Sequence, residues 1–195
     1  SEEILARRNF SLSEITRWTG DLELAASMTE PIDEALRWID NYGDLDGDGF
    51  VEYETKSRRG LVNQGWKDSG NSVVHTDGRL AEPPIALSEV QAYVYYAKRR
   101  MARLFEQLGN RERAEELSGQ AETLKQLFNE NFWIESEGYY AMALDRDKNP
   151  VKTVTSNPAH GLWARIIDED KAARTVERLM QPDMFSGWGI RTMSK

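Results

Sequence analysis

The sequence predicts an all-α fold of helical hairpins with one small β-hairpin. Three observations carry this. Apolar residues recur at helical spacing in most of the long segments. Two of those segments are joined by almost no linker, so they should pair as an antiparallel hairpin. A single stretch, "FWIESEGYYAMALD", switches to a strand-like period around a turn at Glu137-Gly138. No strand–helix–strand rhythm and no heptad seam runs through the 195 residues.

Taken in order, "SLSEITRWTGDLELAASM" opens on a Ser-x-x-Glu capping pattern, Ser11 to Glu14, which predicts a helix start there. "TEPIDEALRWIDNYG" is the next helix, with Thr29 as its N-cap, Pro31 in the first turn and Gly43 as its stop. Ile32, Leu36 and Ile39 share one face. Residues 44–82 read as loop. "PPIALSEVQAYVYYAKRRMARLFEQLG" is expected to be the longest helix. Its apolar stripe runs through Ile85, Val90, Tyr93, Val94, Ala97, Met101, Leu104 and Leu108 to a stop at Gly109. "NRERAEELSGQAETLKQLFNENFW" is its hairpin partner. Helices resume over 157–167 and 168–180, and the glycine-broken tail "FSGWGIRTMSK" reads as loop.

Composition narrows the function. A net charge of -8 disfavours nucleic acid and anionic membranes as partners, since both reward clustered Lys and Arg, and fits a neutral ligand. With no cysteine there is neither a disulfide framework nor a thiolate metal site. The N-terminal "SEEILARRNF" lacks the apolar core of a signal peptide and no run approaches a membrane span, so the cytoplasm is the expected compartment. Aromatic residues make up 10% of the chain, and those near glycine-rich loops could stack on pyranose faces.

The loop "DLDGDGFVEYET", residues 44–55, has the spacing of a calcium loop. Asp44, Asp46 and Asp48 stand at positions 1, 3 and 5, Gly49 at the sharp turn, Phe50 at the carbonyl position and Glu52 at position 9. Three carboxylates within five residues repel one another unless a cation neutralises them. Thr55 stands where a bidentate Glu would close the sphere, and no helix is expected to follow, so this is not a full EF-hand. The expectation is a structural calcium ion; the plainer reading is a solvated acidic turn.

The second informative loop is 57–82, which contains "GLVNQGWKDSGNSV". Asp68 follows Trp66 and Lys67. An aromatic wall excludes water and raises a carboxyl pKa, as a proton donor needs, whereas a close lysine lowers it. By chemistry alone Asp68 is a candidate acid or a turn residue.

Five ordered stretches add context: "RGLVNQGWKDSGNSV", "DGRLAEPPIALSEVQAYVYYA", "NFWIESEGYYAMALD", "SNPAHGLWARI" and "SGWGIRTMS". Together they resemble the bacterial glycogen-debranching, or amylo-α-1,6-glucosidase-type, glycoside hydrolases over about residues 21–194. Trehalases and processing α-glucosidases share the plan. The resemblance implies an (α/α)6 toroid, of which 195 residues supply about half, because ~12 helices of ordinary size need a longer chain. It also implies that Asp68 is the general acid and Trp66 a wall of the sugar subsite. Gln64, Lys67, Asn71, Glu89, His160, Trp188 and Arg191 are the implied surrounding groups. Calcium in the 44–55 loop agrees with related toroid glucosidases.

Three of these residues also have a plainer reading. His160 fits a structural histidine as well as a sugar contact, Glu89 a buried hydrogen-bonding residue, and Arg191 an ion-pair partner. His75 reads as a loop residue, and Tyr139 and Tyr140 as hairpin packing. Two departures matter. The family pattern carries a second acid three residues after the first, where this chain has Asn71. The general base of an inverting glycosidase, about 6.5–9.5 Å from the acid, is expected downstream of this chain. Two functions follow: the acid-bearing part of an inverting hydrolase of oligosaccharides or small glucosides, or a non-catalytic carbohydrate-binding or structural half-toroid. Either should associate with the missing half of the toroid or with itself through uncovered apolar faces.

Overall fold

The computed structural model describes residues 2–57 and 59–195. The chain is mostly helical with small antiparallel sheets. Helix α1 spans Glu2–Thr19. The expected start at Ser11 is corrected here. The preceding residues are mainly good helix formers, so nothing stops the helix at Ser11, and Glu14 pairs instead with Arg17 at 2.7 Å and Arg100 at 2.8 Å. Gly20, at φ 73°, ends α1. Asp21 then caps α2 (Leu22–Ser27) by accepting from the Leu24 N–H at 2.8 Å.

Helix α3 spans Thr29–Tyr42 and buries Ile32, Leu36 and Ile39, as the periodicity requires. Met28, not Thr29, occupies the N-cap position. The Thr29 hydroxyl is drawn backward, donating to the Ala26 carbonyl at 2.8 Å. Gly43 ends the helix as expected.

After the loop region, strand β1 (Ala86–Leu87) leads into α4 (Ser88–Gln107), and α5 (Arg111–Asn131) returns against it. The partner helix is therefore the longer one, by 21 residues to 20. Ile85 is buried but lies before the helix, because the chain is still extended there and bridges to Tyr53. Gly109 at φ 85° turns the chain, and Asn110 caps α5 through the Arg113 N–H. The hairpin carries two apolar clusters. One joins Met101, Phe105, Ala114 and Leu117 to Leu36 of α3. The other joins Val90, Val94, Leu124 and Phe128 to the loops and sheets.

The predicted hairpin forms: β2 (Trp133–Ile134) pairs with β3 (Tyr139–Tyr140), Trp133 opposite Tyr140. A second sheet was not expected. In it β4 (Ala143–Leu144) lies between β1 and β5 (Pro150–Val151). Strands of two residues are too short to show a period. A 3₁₀ turn (Asn157–Ala159), α6 (His160–Ala164) and α7 (Glu169–Leu179) complete the chain. Asn129 locks these parts together. Its side chain accepts from Tyr140 Oη and from the Asp168 N–H, and donates to the Ile166 carbonyl at 2.7 Å.

The loop region is fixed to α4 chiefly by Gln91, which is fully buried. Its amide accepts from the Val51 N–H at 2.9 Å and donates to the Val51 carbonyl at 2.6 Å, as a neighbouring strand would. Among the described residues no helix is long and apolar enough to cross a membrane.

Gln91→Leu keeps the volume but strands both Val51 backbone groups. The expected cost is about 2–4 kcal/mol, read as a lower urea midpoint.

Candidate functional site

The loop before α4 closes on the first turn of that helix. At Gly65 an added Cβ would collide with Leu87 Cδ1 and lie 3.2 Å from Glu89 Oε1, so a larger residue would have to displace two buried side chains. This approach fixes where Trp66, Lys67 and Asp68 leave the surface. Two side-chain bonds set the loop's shape. Tyr53 Oη donates to Asn63 Oδ1 at 2.7 Å, and Asn63 Nδ2 donates to the Ser69 carbonyl at 2.6 Å.

Lys67 reaches across to the C-terminal loop, where its ammonium donates to the Thr192 carbonyl. Burial pushes its pKa down, and the Glu89 carboxylate opposes that shift. Glu89, fully buried, accepts from Asn157 Nδ2 at 2.8 Å. The Asn157 Oδ1 and the Ser88 hydroxyl are buried with no hydrogen-bond partner among the described residues. His160 Nδ1 is hydrogen-bonded to Tyr93 Oη at 2.7 Å, and its ring lies 6.4 Å from that of Trp66. Trp163 continues the aromatic row, 6.4 Å from Tyr93 and 4.6 Å from Tyr96. Trp66 and Trp163 are half exposed, at 50% and 52%. The face therefore has two accessible indoles beside a buried polar floor. Such a surface can stack a sugar ring and hydrogen-bond its hydroxyls.

Of the sequence-selected residues, the structure brings Trp66, Lys67, Glu89 and His160 together. Asp68 is exposed next to Lys67 in sequence, and Asn71 is exposed on the same loop. Gln64 lines a different cleft, with Trp38, Tyr42 and Thr55. Trp188 is 99% exposed at a turn of the tail. The Arg191 guanidinium makes a long contact, 3.5 Å, to the Pro182 carbonyl, and its backbone N–H donates to the Met184 carbonyl at 2.8 Å. Tyr139 and Tyr140 are buried in the core, and His75 sits 3.3 Å from Asp145. Sequence reasoning missed Asn157, Tyr93 and Trp163. Asn157 and Trp163 lie inside the quoted "SNPAHGLWARI", and Tyr93 lies in the α4 stripe.

In the 44–55 loop, Asp44, Asp46 and Asp48 bring carboxylate oxygens within 4.8 Å of one another, a donor set that suits a hard cation. The Lys148 ammonium stands in that cluster, 2.8 Å from Asp46 and 2.8 Å from Asp48, and also on Glu52. A calcium ion and this ammonium do not fit together.

The mannosylglycerate hydrolase MGH1-like glycoside hydrolase domain matches residues 9–195. No curated protein sequence matches the chain. Among solved structures, a GH78 family rhamnosidase of Bacillus sp. GL1 is similar, with a TM-score of 0.68 and 15% identity, over 89% of this chain and 17% of that one. A sialidase is similar with a TM-score of 0.66 and 18% identity, over 90% of this chain and 15% of that one. These likenesses show the fold: a partial toroid-like region of larger glycosidases. This chain spans about a sixth of either structure.

Gly65→Ala should cost about 1–3 kcal/mol, because Leu87 and Glu89 cannot both yield. Gly70 has nothing within 4 Å of an added Cβ, so Gly70→Ala should stay within about 1 kcal/mol of the parent. Thermal melts of the two variants check the contrast.

Proposed function

The chain belongs to the mannosylglycerate hydrolase MGH1-like glycoside hydrolase domain family, and from that premise we propose that it supplies the general acid of an inverting hydrolase of α-linked glycosides. Asp68 is that acid. The observation that carries the reading is the convergence of Trp66, Lys67, Glu89 and His160 from three separate segments on one face beside Asp68. A sugar stacked on Trp66 brings its glycosidic oxygen to the neighbouring Asp68 carboxyl. Asp68 then gives its proton to the glycosidic oxygen as the bond from C1 breaks. A second carboxylate, which the proposal places outside these 195 residues, takes a proton from water as that water attacks C1 from the opposite face.

Lys67 and Glu89 orient the loop and the floor rather than exchange protons. Glu89 is held by Asn157 at 2.8 Å, and Lys67 by the Thr192 carbonyl. The substrate reading is an α-glucoside of the debranching type, on the strength of the "GWKD" loop and its companion stretches. The family's description sets mannosylglycerate beside it. The part of the toroid that covers this face, in the same polypeptide or a partner, completes the site. Exposed Trp18, Ile15 and Leu24 on α1 and α2 support such an association.

Asn71, in place of a second acid, favours the non-catalytic carbohydrate-binding reading. Asp68→Asn decides between the two in the natural gene product. Hydrolysis of a panel of maltooligosaccharides, branched dextrins and mannosylglycerate should fall at least ~100-fold, with sugar binding retained. Unchanged turnover would sink the assignment of Asp68. Binding without turnover in the parent protein would establish the non-catalytic module.

A further inference from the structure

We propose that Lys148 is the resident cation of the acidic loop, so that an ammonium from the same chain does the work that the loop's spacing assigns to calcium. The inference stands apart from the hydrolase reading.

The geometry is specific. Lys148 Nζ lies 2.8 Å from Asp46 Oδ2 and 2.8 Å from Asp48 Oδ2, and it donates to Glu52 Oε1. The Glu52 side chain is fully buried. Calcium would need these oxygens at about 2.3–2.6 Å, which puts it where the ammonium stands. Asp44 is engaged elsewhere. Its carboxylate accepts from the N–H groups of Gly47 at 2.6 Å, Asp48 at 3.2 Å and Gly49 at 2.9 Å, and so folds the loop itself.

Lys148 is delivered by a shaped turn between β4 and β5. Asp145 Oδ1 accepts from the N–H groups of Asp147 at 3.0 Å and Asn149 at 2.9 Å. Lys148 itself adopts φ 61°, a left-handed conformation that side-chain-bearing residues seldom take. The turn thus holds an unfavourable backbone at the residue whose ammonium enters the acidic loop. The clamp joins the β4–β5 turn to the segment leading from Glu52 to Tyr53. Tyr53 in turn orients Asn63 and the Ser69 carbonyl beside Asp68.

The test is calcium dependence, read by thermal melting and by calorimetric titration with calcium chloride. The wild-type protein should keep its Tm in millimolar calcium or in EDTA and show no stoichiometric calcium binding. Lys148→Met keeps the stem and removes the charge. Lys148→Gly also removes the charge but relieves the left-handed backbone. Both should melt lower than wild type in EDTA, regain stability in calcium, and bind one calcium ion in the titration where wild type binds none. A wild-type protein that binds one calcium ion and loses stability in EDTA would overturn the proposal. So would two variants that stay as stable as wild type and indifferent to calcium. If neither variant folds, the wild-type titration decides alone.

Discussion

The two hydrogen bonds between the Gln91 side chain and the Val51 backbone carry more of this structure than their number suggests. The described residues between α3 and α4, more than forty, include no helix, and such a segment must still satisfy its buried backbone. Gln91 does this at the buried Val51 by presenting an amide that copies the donor and acceptor of a peptide unit. With Val51 pinned, Tyr53 can bridge to Ile85, and the loop has a fixed origin from which to reach the first turn of α4. The positions of Trp66 and Asp68 follow from that origin and from the bare backbone at Gly65.

The candidate site is accordingly assembled from pairs that are distant in sequence. Glu89 and Asn157 meet across 68 positions, Tyr93 and His160 across 67, and Lys67 and Thr192 across 125. Helix α4 contributes to two of these pairs, so it acts as the fixed rail against which three loops are registered. Glu89 and Asn157 of the floor are buried and bonded to each other, while the two indoles remain half exposed. This division suits a ligand with apolar ring faces and polar edges: rigidity comes from below and contact area from above.

What the sequence made legible was whatever repeats locally. The α3 stripe through Ile32, Leu36 and Ile39, the stops at Gly43 and Gly109, and the hairpin around Gly138 each depend on neighbours within a few positions. Local signals misled where competition was hidden. Ser11 has a capping pattern, but the residues before it favour continuing the helix. Thr29 has a capping hydroxyl, but it bonds backward to Ala26. Within the site, Trp66 and Asp68 stood out because a tryptophan and a carboxyl in a glycine-rich loop are conspicuous. Asn157 and Tyr93 did not, since an asparagine before a proline and a tyrosine in an apolar stripe look ordinary until their partners are known.

The acidic loop shows where spacing stops being informative. Alternating aspartates with a glycine at the sharp turn specify a concave cluster of oxygens, and hence a demand for positive charge. They do not specify its source. An ammonium brings one charge and three directed donors, and the acceptors here number three: Asp46, Asp48 and Glu52. Asp44, which would be a fourth, is satisfied by backbone N–H groups. Position 12, where a calcium loop calls for a bidentate carboxylate, holds Thr55, whose hydroxyl donates to the Leu61 carbonyl instead. On the proposal above, these three carboxylate acceptors match the three hydrogens of the lysine ammonium. The lysine proposed here lies 96 positions from Glu52, in the turn between β4 and β5. Thr55 at position 12 is the local feature in which the spacing departs from a full calcium loop.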